Sequence, residues 1–186
     1  MGLAQEASKH NTPLLDDLQK LNEVHAVRSG QFHDVYLHEY GTPEKPLPSH
    51  FFVPGDRLWF RNPDEASSDI TGYEGSWVIY MGSGLFSNFW KRDQPYTLIA
   101  KCVEIYHWRE GLQTNSNGEL WMDESVVEAC MVDTLRNPTK LKKVLQRMMK
   151  MRDPKGVYAD GGCLDSTREY PKQIFPGINE LNLPRY

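Results

Sequence analysis

The sequence predicts an α+β fold, in which a twisted antiparallel sheet is packed on one side by helices. Three observations predict it: β-type runs lie between residues 51 and 108, amphipathic helical patterns follow over residues 124–152, and no internal repeat is present. The chain has 186 residues, of which 39% are hydrophobic and 25% charged, as in a globular domain. We therefore expect a single domain over residues 1–186, with residues 1–12 flexible and an irregular tail over 156–186 packed on the core.

The first part of the chain is predicted to supply one short helix and then the strands. An amphipathic helix is expected from residue 12 and a strand over residues 32–40. The clearest strands are residues 57–60, which follow a Pro-Gly-Asp turn, and residues 76–81, which precede a Gly-Ser-Gly turn. A long β-type run over residues 96–108 predicts one further strand.

The last third is predicted to be helical. Asp123 is a good cap for a helix over residues 124–136, and Asn137 with Pro138 begins a second helix. An apolar stripe along that second helix predicts a face turned toward the core: Leu141, Val144, Leu145, Met148 and Met149.

Two segments carry the most informative pattern in the chain. Residues 54–64 are PGDRLWFRNPD, and residues 73–84 are YEGSWVIYMGSG. Together they resemble the core of bacterial spore-type protein-glutamine gamma-glutamyltransferases and, more distantly, the NlpC/P60 and lecithin-retinol-acyltransferase-like folds. The resemblance covers about a sixth of the chain. It implies a papain-like core and a thiol-dependent transfer chemistry on protein side chains.

The resemblance also implies where the catalytic groups of the family should lie. The family's catalytic Glu corresponds to Ser76, and the acyltransferase-like relatives carry a His at that place before a Trp, here Trp77. The family nucleophile is a Cys on a helix before these strands, whereas the first Cys here is Cys102. A neutral Ser cannot accept a thiol proton as Glu or His can. Either the chemistry has moved, or the fold serves binding.

If the chemistry has moved, three residues are candidates for it. Glu74, two residues before Ser76, could act as a displaced acid, and the alternative is an exposed loop carboxylate. Cys102 is the thiol on the predicted strand nearest the motif, and the alternative is a small buried hydrophobic residue. His107 would face the opposite side of that strand, which argues against a Cys–His pair. Cys163 is predicted to lie in an exposed Gly-rich loop as the most accessible thiol.

Two surfaces are candidates for binding a protein or peptide. Aromatic side chains near the motif could line a peptide-binding cleft, with some of them belonging instead to the core: Trp59, Tyr73, Trp77 and Trp90. A basic helix over residues 139–152 could dock an acidic partner or lie on an anionic surface. The alternative for this helix is a solvated outer face over a stripe that faces the core.

Composition weighs against other classes of protein. A formal charge of −4 gives no reason to expect a nucleic-acid partner, and the six His lack metal-ligand spacing. We expect neither a metal nor a cofactor. No run of 18 apolar residues is present, so we expect no membrane span. Three widely spaced Cys and a start without a signal-peptide pattern predict a cytoplasmic protein, or one exported without a signal peptide.

Two main hypotheses and a third possibility follow from these observations. The first is a transglutaminase-like enzyme, such as an effector of a secretion system, that acts on protein side chains through a thiol. The second is a catalytically inactive papain-fold relative that serves as a binding module, such as an immunity or adaptor protein. A third possibility is that the chain is the C-terminal portion of a longer enzyme. A single fast-reacting thiol would favour the enzyme.

Overall fold

The computed structural model describes residues 37–42, 44–48, 52–88 and 93–171, together with four isolated positions near the start of the chain. The helix predicted from residue 12 falls largely outside these residues. The chain divides into two compact units, one formed by residues 39–169 and the other by the two ends of the chain. The features below lie in the unit 39–169 unless stated, and the single-domain prediction stays a prediction.

An α+β architecture with an antiparallel sheet is confirmed. Six strands of the described residues form one sheet in the order β1–β8–β2–β3–β4–β5, and β6 pairs with β7 in a separate hairpin. The pairings of β2 with β3, β2 with β8, β3 with β4 and β4 with β5 are all antiparallel. The strands are β1 (Leu37–Tyr40), β2 (Arg57–Arg61), β3 (Gly75–Gly82), β4 (Leu85–Asn88), β5 (Tyr96–Thr97), β6 (Leu112–Thr114), β7 (Leu120–Met122) and β8 (Arg168–Pro171). The helices are α1 (Glu65–Ser68), α2 (Leu98–Tyr106), α3 (Glu124–Arg136) and α4 (Pro138–Met148).

The two motif segments form the central hairpin of the sheet, as the sequence predicts. Leu58 lies opposite Val78 and Phe60 lies opposite Ser76 in the register of β2 and β3. Leu58, Phe60 and Val78 are buried in the hydrophobic core, which also contains Cys102 of α2. Alternation along both strands therefore turns one face of the hairpin into the core.

The Pro-Gly-Asp turn starts β2 through the side chain of its Asp. The Val53 amide donates to Asp56 Oδ2 at 2.7 Å, and the Asp56 amide returns a bond to the Val53 carbonyl at 2.9 Å. Gly55 has φ +97°, a conformation that favours glycine. Asp56 is buried and pairs with Arg168 of β8 at 3.2 Å. The turn therefore joins the starts of two neighbouring strands.

The Asn-Pro-Asp segment that ends β2 is held by a buried amide. Asn62 is fully buried, and its Nδ2 donates to Ser67 Oγ and to the Tyr73 carbonyl, both at 2.9 Å. Its Oδ1 accepts the Asp64 amide at 3.0 Å, while Asp64 caps α1 by accepting the Ser67 amide. Asn62 thus fixes both ends of the loop that leads from β2 to β3.

The strand predicted over residues 96–108 is wrong beyond its first two residues, since Leu98–Tyr106 form α2. Thr97 caps this helix by accepting the Ala100 amide at 3.2 Å. Four positions of the helix are buried, 101, 102, 103 and 105, and α2 packs against both α3 and α4. Packing of this face overrides the strand preference of the β-branched residues in the run.

The two C-terminal helices are confirmed, including their caps, but the helix predicted over residues 139–152 ends at Met148, so residues 149–152 lie outside it. Asp123 Oδ1 accepts the Ser125 amide at the start of α3. Asn137 ends α3, and its Oδ1 accepts the Thr139 and Lys140 amides, each at 3.1 Å, at the start of α4. Of the predicted apolar stripe on α4, Val144 and Met148 are buried, whereas Met149 lies past the helix end and is 39% exposed.

Candidate functional site

Ser76 lies on the core-facing side of β3, half-buried opposite Phe60. Glu74 comes just before the strand and is exposed, and its Oε2 accepts the Gly72 amide at 3.0 Å. The Ser76 hydroxyl therefore faces the core, whereas the Glu74 carboxylate accepts a hydrogen bond within the turn before the strand.

Ser76 adjoins a group of polar side chains where β5 passes into α2. We call it the Tyr96 cluster, and its members are Ser76, Tyr96, Lys101, Cys102, Glu104 and Cys163. Lys101 is only 3% exposed, and its Nζ lies 2.7 Å from Glu104 Oε2 and 4.4 Å from the centroid of the Tyr96 ring. The Lys101 ammonium group is thus held between a carboxylate and an aromatic face.

The Tyr96 phenol stays protonated in this environment. Burial raises the pKa of Tyr96, the negative charge of Glu104 raises it further, and the neighbouring Ser76 hydroxyl opposes the rise. The Tyr96 hydroxyl is buried without a well-formed hydrogen bond. It can therefore donate a hydrogen bond at neutral pH but cannot act as a base.

Two thiols of the cluster are fully buried. Cys102 and Cys163 are both 0% exposed. Burial raises the pKa of the Cys163 thiol, the adjacent Cys102 thiol adds to the rise, and Lys101 only partly offsets it. The thiolate is the nucleophilic form, so a buried thiol with a raised pKa reacts slowly.

The prediction that Cys163 lies in an exposed loop is wrong. Residues 161–164, which we call the Gly-Gly-Cys strap, run between the end of α4 and β2. A Cβ atom at Gly161 would lie 2.2 Å from the Asp153 nitrogen, and one at Gly162 would lie 2.3 Å from the Lys150 carbonyl oxygen. The two glycines therefore permit close backbone packing, which presses Cys163 into the core.

The remaining Cys and the His near α2 lie outside the cluster. Cys130 is half-buried on α3. His107 follows the end of α2, where its Nε2 lies 2.7 Å from Thr134 Oγ1 and its Nδ1 lies 3.3 Å from Glu110 Oε2. Cys102 and His107 do not lie on opposite faces of one strand, because α2 replaces the predicted strand.

The predicted aromatic cleft residues occupy two different places. Trp59 and Trp77 lie together, with ring centroids 5.0 Å apart, and the Arg57 guanidinium lies 3.7 Å above the Trp77 ring. Tyr73 instead packs edge-on against Trp108 at 5.1 Å, and burial raises its pKa to about 12. Trp90 lies outside the described residues.

Sequence reasoning missed three members of the cluster, Tyr96, Lys101 and Glu104. The spacing of Lys101 and Glu104, three residues apart with opposite charges, is typical of neighbours on a helix surface. Assigning the segment to a strand hid this signal. Cys163 was considered as a thiol but not as a neighbour of Cys102, because no local pattern joins positions so far apart.

The basic residues after position 138 fall into two groups, arginines that bond within the fold and lysines that are exposed. Arg147 donates to the carbonyl oxygens of Pro63, Tyr158 and Gly161. Arg152 Nε bonds Asp165 Oδ1 at 2.9 Å. In contrast, three lysines are exposed along the outer side, at positions 142, 143 and 150.

Within the described residues, no group of three His, Cys, Asp or Glu side chains could hold a metal ion. Nor is any helix described there long and apolar enough to cross a membrane.

Comparison with known families gives a match that extends far beyond the two motif segments. The family model of protein-glutamine gamma-glutamyltransferase matches residues 12–172. Comparison with curated proteins and with solved structures gives no match. The matched region includes the central hairpin, the Tyr96 cluster and all four helices described above. The chain is therefore a member of the protein-glutamine gamma-glutamyltransferase family.

Proposed function

We propose that this family member binds a protein partner and does not transfer γ-glutamyl groups through the thiol route of the family. The observation that carries the proposal is the state of the thiols near the motif. Cys102 and Cys163 are fully buried, and the pKa of Cys163 is raised, so neither is poised to attack a glutamine side chain.

The position of the family's acid supports the same proposal. Ser76 stands there, beside a protonated phenol and opposite Phe60. A hydroxyl in this place can donate or accept a hydrogen bond but cannot take up a thiol proton near neutral pH. The papain-like core that the motif resemblance implies belongs to this proposal, and the antiparallel pairing of β2 and β3 supports it.

For the partner, we propose an acidic protein segment that docks on α4 and the residues after it. Lys142, Lys143 and Lys150 are exposed there, and α4 contains no acidic residue to neutralise them. A membrane surface is a weaker candidate, because Val144 and Met148 of α4 are buried in the core and cannot insert into lipid. An immunity or adaptor role would suit such a protein, whereas an effector that modifies side chains would need a reactive thiol.

An amine-incorporation assay tests the loss of transferase activity. The purified protein is incubated with a fluorescent primary amine and a glutamine-rich acceptor protein, beside the variants Cys102→Ser, Cys130→Ser and Cys163→Ser. We expect no incorporation above a protein-free control. Incorporation by the parent protein that one of the Cys variants abolishes would contradict the proposal and identify the nucleophile.

Alkylation rates test the same point without a substrate. With iodoacetamide at mildly acidic pH, we expect Cys130 to be labelled before Cys102 and Cys163, because Cys130 is the half-buried one of the three. Rapid labelling of Cys102 or Cys163, faster than Cys130, would instead indicate an activated thiol and favour the enzyme.

Binding at α4 is tested with a fluorescent peptide rich in Asp and Glu. The double variant Lys142→Glu/Lys143→Glu should weaken binding about tenfold, since two attractive charges become repulsive. Lys45→Glu, which changes an exposed Lys elsewhere by the same charge, is the matched control. Equal affinities for the parent protein and both variants would rule out this surface.

A further inference from the structure

The turn between β6 and β7 contains an Asn that is directly followed by a Gly. These residues are Asn117 and Gly118, and no other Asn in the sequence precedes a Gly. Both are exposed, and Gly118 has φ +81°. The Gly118 amide donates to the Asn115 carbonyl at 3.0 Å, which closes a four-residue turn. The turn therefore presents a carboxamide to solvent beside a main-chain nitrogen whose residue has no Cβ to hinder an approach.

The two Asn side chains of this turn are used differently. Asn115 Oδ1 accepts the amides of Asn117 and Glu119, each at 2.9 Å, and Asn115 Nδ2 donates to Glu119 Oε2 at 2.8 Å. Within the part of the chain that the structure describes, the Asn117 carboxamide makes no hydrogen bond. Asn115 is therefore fixed in place by its own bonds, whereas the Asn117 carboxamide can rotate toward the Gly118 nitrogen.

The other Asn side chains of the described elements are poorly placed for the same approach. Asn62 and Asn137 each precede a Pro, whose nitrogen carries no hydrogen and cannot form a neutral cyclic imide with the side chain. Asn88 lies at the end of β4 and precedes a Phe, whose side chain hinders an approach that a Gly leaves open. Asn117 is thus set apart by its neighbour, its exposure and its unbonded side chain.

We propose that Asn117 is a site of spontaneous deamidation through a cyclic imide formed with Gly118. The Gly118 nitrogen attacks Cγ of Asn117 and forms a bond to it. The carboxamide C–N bond breaks, and its nitrogen leaves as ammonia together with the Gly118 amide proton. Water then opens the ring at one of its two carbonyls, which gives aspartate or isoaspartate. One Asn and one water thereby give one acidic residue and one ammonia.

The hydrogen bonds of the turn restrain this reaction, and its product changes the turn. Asn115 holds both the Asn117 amide and the Gly118 amide, so the folded protein reacts more slowly than an unfolded chain. Isoaspartate continues the main chain through its former side-chain carbon, which inserts one methylene group before Gly118. The reaction adds a carboxylate two residues before Glu119. It uses no group of the Tyr96 cluster and does not depend on the proposed function.

Peptide mapping of the native full-length protein tests the site. The protein is incubated at neutral and at mildly alkaline pH and is then digested with trypsin. Tryptic peptide 110–136 contains both Asn115 and Asn117. We expect this peptide to gain the mass difference between NH and O, with fragmentation placing the change at Asn117 and showing isoaspartate beside aspartate. The rate should rise with hydroxide concentration, because the deprotonated Gly118 nitrogen is the attacking form.

Two variants and an unfolded reference complete the experiment. Asn117→Gln, whose carboxamide lies one methylene further from the main chain, should leave peptide 110–136 unchanged. Asn115→Ala should speed the conversion several-fold in the folded protein, whereas in concentrated urea it should react at the rate of the parent chain. The proposal is overturned if Asn115 reacts before Asn117 or if Asn117→Gln gains mass at the parent rate. It is also overturned if the folded parent shows no conversion during an incubation that fully converts the chain in urea.

Discussion

At the level of single residues, Asn62 shows why the Asn-Pro-Asp segment takes its shape. Its amide is fully buried and bonds Ser67, Asp64 and the Tyr73 carbonyl at once. An alanine would leave the Tyr73 carbonyl and the Asp64 amide without these bonds in a partly buried place. We expect Asn62→Ala to lower the free energy of unfolding by about 2–4 kcal/mol.

Chemical denaturation measured by tryptophan fluorescence checks this expectation. The control is Asn117→Ala, which removes a side chain of the same type from an exposed loop position and should change stability little. A similar loss for both variants would mean that the Asn62 hydrogen bonds do not stabilise the loop.

A second residue-level prediction concerns alkaline pH. Burial, followed by the charge of Glu124, raises the pKa of Tyr73 to about 12, compared with about 10 in an unfolded chain. The folded state therefore keeps the proton that the unfolded state loses. The stability that the protonated Tyr73 contributes to the folded state is fully present below pH about 10, and it is lost as pH rises from about 10 to about 12.

The variant Tyr73→Phe should accordingly lose less stability over that interval than the parent protein. Urea midpoints at the two ends of the pH interval measure the difference, with Tyr106→Phe, which changes a ring that is 38% exposed, as the control. An identical decline in the parent and Tyr73→Phe would show that this phenol does not contribute.

Single residues also show where sequence reasoning reached the site and where it stopped. Ser76 was identified because it stands in a local motif with a fixed place for the family's acid. Cys163 was misplaced because adjacent glycines usually mark an exposed turn, whereas Gly161 and Gly162 are needed here for close backbone contact. What a glycine makes room for depends on a distant segment, and sequence patterns do not contain that information.

At the level of elements, the junction between α3 and α4 depends on one side chain. Asn137 Oδ1 accepts the Thr139 and Lys140 amides and so satisfies two free donors at the start of α4. We expect Asn137→Ala to lower the unfolding free energy by about 1 kcal/mol. Asn137→Asp should keep most of the stabilisation that the cap provides. Thermal unfolding followed by circular dichroism distinguishes the two, and equal losses would argue against a capping role.

Prediction of elements succeeded where a start signal and a periodic pattern agreed. For α3 and α4, Asp123 and Asn137 marked the starts, and the apolar positions followed at helical spacing. The run after Tyr96 lacked such agreement, because its β-branched residues suggested a strand while its buried positions fit a helix. The Thr97 cap was the overlooked start signal.

At the level of the whole molecule, Arg147 joins segments that are far apart in sequence. Its guanidinium donates to the carbonyls of Pro63, Tyr158 and Gly161, which connects α4 to the central hairpin motif and to the strap. A Lys at this position carries the same charge but cannot donate to three directions from a planar group. We expect Arg147→Lys to lower the unfolding free energy by about 1–3 kcal/mol.

Lys143→Ala, an exposed change on the same helix, should leave stability nearly unchanged. Urea denaturation of the two variants tests whether Arg147 stabilises the fold while Lys143, which is proposed to bind a partner, does not. If Lys143→Ala destabilised the protein as much as Arg147→Lys, the division of roles along this helix would be wrong.

The α+β class, the antiparallel pairing of the motif strands and the family could all be predicted from local sequence. The Tyr96 cluster could not, because β3, β5, α2 and the strap contribute to it from across 88 residues. Contacts over such separations are set by how the elements pack, and composition and spacing do not encode that packing.

The strap also determines how its own peptide groups meet the solvent. The amides of Gly161, Gly162, Cys163 and Leu164 donate in succession to carbonyls of Val157, Met151, Met148 and Lys150. In deuterated water these four protons should therefore be replaced slowly, on a timescale nearer to that of core helices than of flexible linkers. Adjacent glycines are usually expected to be among the first positions whose amide protons exchange. Gly161 and Gly162 would then be among the last.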